Sequence, residues 1–156
     1  MTIDRETIVS ANYNVPVLDA LYRFGAGVDT NDRKLLETSF SEDAVIDFSP
    51  CGRKMGLDFP MLTGAETIVD FLGASAKNQI TSHVITNGRV QLTGNEAKLR
   101  ALVDATHISR RDDSQRCQMR NWYEAELAQV EDRWRIRRLT IDNVWFTGDP
   151  QVLLGR

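Results

Sequence analysis

The sequence predicts an α+β domain in which helices cover one face of a curved sheet. Apolar residues at helical spacing dominate the first half, and long runs with period-two alternation occupy nearly everything after Ile80. No repeat, low-complexity tract or Pro/Ser-rich linker divides the chain. Its 156 residues, 42% hydrophobic and 26% charged, suffice for one sizeable core and are too few for two. A single domain over residues 1–156 is expected.

Residues 17–28 place Val17, Leu21, Phe24 and Val28 on one helical face, flanked by Leu18 and Gly25, with Asn14 and Pro16 suited to the helix start. A short second helix runs from about Asn31 to Phe40 and buries Leu35, Leu36 and Phe40. Between them, Asp29 reads most simply as a turn or N-cap acid. Ala44–Ser49 is a short strand. The stretch from Pro50 to Leu62, with two prolines and two glycines, reads as an irregular loop able to act as a lid. Thr63 and Glu66 form a capping box that opens a third helix to about Ala74, with Ile68, Val69, Phe71 and Leu72 inward. Thr81–Leu92 and Glu96–Arg110 form a long hairpin around Thr93-Gly94-Asn95. After a polar link come a strand from Cys117 to Val130, a tight turn, and a last strand from Trp134 to Phe146.

The net charge of −3, from 19 basic and 22 acidic residues, argues against nucleic acid as a partner. Arg133, Arg135 and Arg137 share a strand face that reads as solvated or as an interface. No apolar run approaches the roughly 20 residues needed to span a bilayer. The polar, acidic N-terminus, MTIDRETIVSANYN, lacks the pattern of a signal peptide, so a cytoplasmic protein is expected. Cys51 and Cys117 form no CxxC pair, and the chain's two histidines have no carboxylates clustered at ligand spacing. Neither a disulfide framework nor a metal site is expected.

Strand faces carry the chemistry. Ala97, Leu99, Ala101, Val103, Ala105 and His107 share one face, apolar but small, which leaves room for a pocket between sheet and helices. On the next strand Met119, Asn121, Tyr123, Ala125 and Leu127 lie together, and a buried amide such as Asn121 requires a partner. His83, Ile85 and Asn87 share a face on the hairpin's first strand. Asp104 points away from His107 under strict alternation.

This order of parts, with the segments SEDAVIDFS, TGAETIVDFL and TSHVITNGRVQLTGNEAKLRALVDATH, resembles the SnoaL-like family of the nuclear transport factor 2-like superfamily over residues 10–147. The resemblance implies a cone-shaped barrel, a curved mixed sheet wrapped by three N-terminal helices, and a homo-oligomer, dimer or trimer. Within the family the pattern is most similar to scytalone dehydratase and lindane dehydrochlorinase. It implies that Asp29 orients His83 as a general base, and that His107 and Asn121 polarise a substrate oxygen or assist the leaving group. Tyr123 is the alternative match to Asn121. Where the dehydratase has tyrosines that hold a water, this chain has Val28 and Phe48.

The activity implied is a cofactor-independent lyase that eliminates water, or a similar leaving group, from a small, largely apolar carbonyl or cyclic substrate. Imidazole titrates near neutrality and suits proton abstraction beside a carbonyl. Tyr22, Phe48, Phe59, Val103, Tyr123 and Trp145 are the expected substrate-binding residues, and no cofactor is required. An isomerase or polyketide cyclase with the same base, a non-catalytic small-molecule binder and a dioxygenase β subunit are the alternatives.

Overall fold

The computed structural model of the chain describes residues 11–155. Most of the N-terminal segment read for targeting lies outside them, as does Arg156 at the end of the tail. Among the described residues, helix α1 spans Ala11–Thr30, α2 Arg33–Ser39, α3 Ser49–Met55 and α4 Ala65–Ala76. The strands are β1 Phe40–Asp47, β2 Met61–Thr63, β3 Gln79–Thr93, β4 Glu96–Ser109, β5 Arg116–Val130 and β6 Arg133–Gly148, and a 3₁₀ turn, Pro150–Leu154, ends the chain. No helix there is long and apolar enough to cross a membrane.

The strands form one mixed sheet in the order β2-β1-β6-β5-β4-β3, antiparallel except for the β1–β6 pair. β2 and β3 remain edges, so the sheet stays open where the resemblance implied a barrel. Period two holds along β4 and β5. Ala97, Leu99, Ala101, Val103 and Ala105, then Cys117, Met119, Asn121, Tyr123, Ala125 and Leu127, all face inward and are buried. Helix α1 closes over them with Val17, Leu21, Phe24 and Val28, and α4 with Ile68, Val69 and Leu72. Each large apolar side chain so buried contributes about 1.5–3 kcal/mol.

Four expectations need correction. The first helix is already formed at Ala11, so Pro16 lies inside it, not at its start. The Pro50–Leu62 stretch is irregular only over residues 57–60, between α3 and β2, which makes four helices where three were expected. Pro50 occupies the first turn of α3, where a missing N–H costs nothing, and Gly56 ends it in the left-handed region at φ 72°. The residues taken as breakers are its punctuation. Thr63 pairs with Val45 in β2, leaving Gly64 as N-cap of α4 with no side-chain cap, so strand pairing displaces the capping box.

The last correction concerns Asn87, which leaves the His83 face because β3 bulges between Thr86 and Arg89. It takes a positive φ of 54°, tolerable for Asn. Gly88 in the bulge receives Leu18 of α1, whose Cδ2 would lie 2.5 Å from any Cβ there. This notch seats the helix against the sheet.

Candidate active site

One buried ring spaces helix from sheet. Phe24 lies edge-on to Phe40, His83 and Tyr123, with centroids 5.9, 6.0 and 6.0 Å away. α1 ends where Asn31 turns left-handed at φ 52° and the Asp32 amide reaches back to the Gly27 carbonyl at 2.9 Å. Asp32, accepting from the Leu35 amide at 3.0 Å, is the cap of α2. Asp29 therefore has no capping role and points to β3.

Three donors on β3 meet its carboxylate. His83 Nδ1 lies 2.6 Å from Oδ1, the His83 backbone N–H donates to Oδ2 at 2.8 Å, and Thr81 Oγ1 donates to Oδ1 at 2.8 Å. Burial pulls this carboxyl upward, but the ring hydrogen bond and charge of His83, with the two other donors, outweigh it and hold Asp29 below the usual carboxylate range. An ionised carboxylate only accepts. Nδ1 of His83 therefore carries a hydrogen in either protonation state, and Nε2 is the position that can give up or take a proton toward the cavity.

The second imidazole has a different backing. His107 Nδ1 lies 2.6 Å from Gln79 Oε1, and its ring centroid is 5.7 Å from that of His83. Gln79 is buried, and its Nε2 donates to Ser75 Oγ at 3.1 Å and to the Leu153 carbonyl at 3.2 Å. Burial, reinforced by the charge of His83, pushes His107 down to about 3 against a weaker upward pull from Asp29, so the ring is neutral at pH 7.

Asn121, the third polar group, is oriented from β6. Asn143 Nδ2 donates to the Trp145 carbonyl at 2.9 Å and to Asn121 Oδ1 at 2.8 Å. The Cys51 thiol also points at Oδ1, at 3.8 Å. With its oxygen engaged, Asn121 presents its NH₂ as a donor.

These groups border a cavity of about 90 Å³ between the sheet and helices α1, α3 and α4. Phe24, Val28, Phe48, Phe59, Phe71 and Leu72 supply much of its apolar wall, and Leu153 of the final turn covers one side. Tyr123 borders it too, its hydroxyl pushed up by burial and so neutral. Cys51 in the wall is a free thiol that burial pushes up to about 12, which leaves it unreactive.

His83, His107, Asn121, Phe48, Phe59 and Tyr123 thus reach one cavity, with Asp29 directly behind His83. Three expected substrate-binding residues do not. Tyr22 is 42% exposed, off the core face of α1, beside an outer depression it shares with Asp29. Val103 is packed in the core away from the cavity. Trp145 is 40% exposed and meets Arg120, because β6 carries an extra residue. Arg120 pairs with Trp145 and Asn121 with Asn143, so Val144 is unpaired and the alternation reverses there. Asp104 faces outward as alternation requires and pairs with Arg120 at 2.7 Å. Sequence reading passed over Gln79, Thr81 and Asn143. Period two along β3 carried a signal for the first two, since Gln79, Thr81 and His83 alternate.

The family described as the SnoaL-like domain matches residues 14–140. Among solved structures, the chain is similar to a proposed aromatic ring hydroxylase from Novosphingobium aromaticivorans, with 23% identity over 94% of this chain and 99% of that one, TM-score 0.81. It is also similar to a protein provisionally described as a scytalone dehydratase from the same organism (19% identity, 86% and 85% covered, TM-score 0.74). A hexachlorocyclohexane dehydrochlorinase from Novosphingobium barchaimii is similar as well (15% identity, 89% and 91% covered, TM-score 0.73). At these identities the likeness is one of fold. No curated protein matches the chain.

Proposed function

The chain belongs to the SnoaL-like domain family, and on that premise we propose that it is a cofactor-independent lyase acting on a small, largely apolar cyclic carbonyl compound. The observation that carries this reading is the 2.6 Å contact between Asp29 and His83 at the wall of an apolar cavity.

His83 Nε2 takes a proton from the carbon beside the carbonyl. The electron pair left on carbon moves first toward the carbonyl oxygen, where the Asn121 NH₂ donates a hydrogen bond, and then into the new C=C bond as the β C–O bond breaks. The departing oxygen takes the proton back from His83 and leaves as water. Asp29 holds the ring in the reactive tautomer and stabilises the imidazolium formed between the two proton transfers.

The reading is tested with 3-hydroxycyclohexanone, followed by the ultraviolet absorbance of the conjugated enone, and with cyclohexanone in D₂O, followed by NMR for α-proton exchange. Hexachlorocyclohexane, the compound named for one similar structure, tests chloride as the leaving group. Enone or chloride release that disappears in His83→Ala supports a lyase. Exchange without release marks an isomerase that shares only the first step. Neither exchange nor release from any of the three compounds counts against the lyase.

A further inference from the structure

We propose that Gln79 is a positioning residue that makes His107 a hydrogen-bond acceptor toward the cavity, so that the site selects a ligand carrying a hydroxyl which it keeps. The inference rests on the cavity being the ligand site, but not on the lyase chemistry.

The argument is one of donors and acceptors. The Leu153 carbonyl can only accept, so the Gln79 atom facing it at 3.2 Å is the amide nitrogen. That orientation turns Oε1 toward His107 Nδ1 at 2.6 Å, and an amide oxygen can only accept. His107 Nδ1 must therefore carry the ring's hydrogen. Because burial keeps the ring neutral, Nε2 is a bare lone pair on a side chain that borders the cavity, with no protein partner among the described residues. The Gln79 amide is itself fastened: Ser75 of α4 could serve either orientation, but a reversed amide would set its oxygen against the Leu153 carbonyl, which only accepts.

This polarity is opposite to the oxygen-polarising role that the resemblance implied for His107. A lone pair repels a carbonyl oxygen or a developing oxyanion and attracts an O–H group. An oxygen that donates its hydrogen to His107 gains electron density and becomes a poorer leaving group, so the hydroxyl held there remains on the ligand. Carbonyl recognition is then left to Asn121, and His83 takes the proton. Ring centroids 5.7 Å apart place the two imidazoles within the span of one small ring. The ligand class implied is a hydroxylated ring, such as a phenol, an enol or a cyclic alcohol.

The test begins with ¹⁵N NMR of the histidine rings. The chain has two histidines, so one His83→Gln variant assigns both. In the native protein at pH 7, His107 is expected with hydrogen on Nδ1 and a bare Nε2, a tautomer lost in Gln79→Leu, while Gln79→Glu, whose carboxylate still accepts, keeps the hydrogen on Nδ1. Phenol and toluene, nearly equal in size, then serve as calorimetric probes. Gln79→Leu should lower the phenol-to-toluene affinity ratio about fivefold, the size of one neutral hydrogen bond. Hydrogen on Nε2 in the native protein overturns the proposal, even should Gln79→Leu fail to fold. So does a native protein that does not bind phenol, or an equal loss of both probes in Gln79→Leu. A protein with the expected tautomer and preference but no enone formation loses the lyase reading and keeps this one.

Discussion

The two imidazoles sit on neighbouring strands in one cavity, yet the groups behind them differ in charge. His83 is backed by a carboxylate and His107 by a carboxamide, each 2.6 Å from Nδ1. Both set a hydrogen on Nδ1 and turn Nε2 toward the cavity. Only the carboxylate can answer a positive charge, so a proton taken up by His83 finds a partner of opposite sign, while His107 resists protonation. Under the proposed mechanism, the second atom of the backing side chain, oxygen or nitrogen, separates a base that cycles from an acceptor that does not.

The comparison breaks most visibly at His83. His83→Ala is expected to lower kcat/KM by about 10²–10⁴-fold in the enone assay, with the far-ultraviolet circular dichroism unchanged. A variant of full activity would mean that the carboxylate-backed ring is not the base.

The amide-backed ring has its own signature, in stability. An unfolded histidine titrates near 6.5, whereas burial pushes folded His107 down to about 3. Between those values the unfolded chain binds more protons, so stability rises with pH and is lost as pH falls. From pH 6.5 to 4 this contributes a loss of about 3 kcal/mol, measured by urea unfolding across pH. His107→Phe should remove that slope and keep the steeper losses at lower pH, where Asp29, held low by His83, becomes protonated. An unchanged slope would assign acid sensitivity to other groups.

A smaller effect sharpens the comparison at the third polar group. Asn143→Ala removes the donor that turns the Asn121 oxygen away from the cavity, and should cost about 1–3 kcal/mol of stability. Under the proposed mechanism it also lowers kcat more than it raises KM, as steady-state kinetics would reveal. The smallest effect lies outside. Trp145→Ala should cost about 0.5–1 kcal/mol through its lost contact with Arg120 and leave kcat/KM unchanged.

Residues obeying strict alternation were legible beforehand. The inward faces of β4 and β5, and the presence of His107, Asn121 and Tyr123 on them, follow from period two alone. Illegible were the places where one residue shifts the phase. Val144 turns Trp145 outward, and Asn87 leaves its strand face, because a bulge is a pairing event between strands and has no local signature. The Thr63 cap failed for a related reason, a distant partner, Val45, outweighing a local hydrogen bond. Gln79 stood in plain alternation with His83, but a glutamine in a strand conveys nothing until its neighbours are known. Its meaning comes from Ser75 and Leu153, which sequence does not bring near.

The seating of Leu18 in the Gly88 notch constrains how this molecule can change in length. From position 18 to position 29 is 11 residues, about three turns at 3.6 residues per turn, so the anchor and the carboxylate leave the helix in nearly the same direction. Inserting or deleting one residue between them would swing Asp29 by about 100° around the axis while the anchor stayed seated. Homologues that keep both the notch and the carboxylate should therefore tolerate length differences in that stretch only in steps close to whole turns.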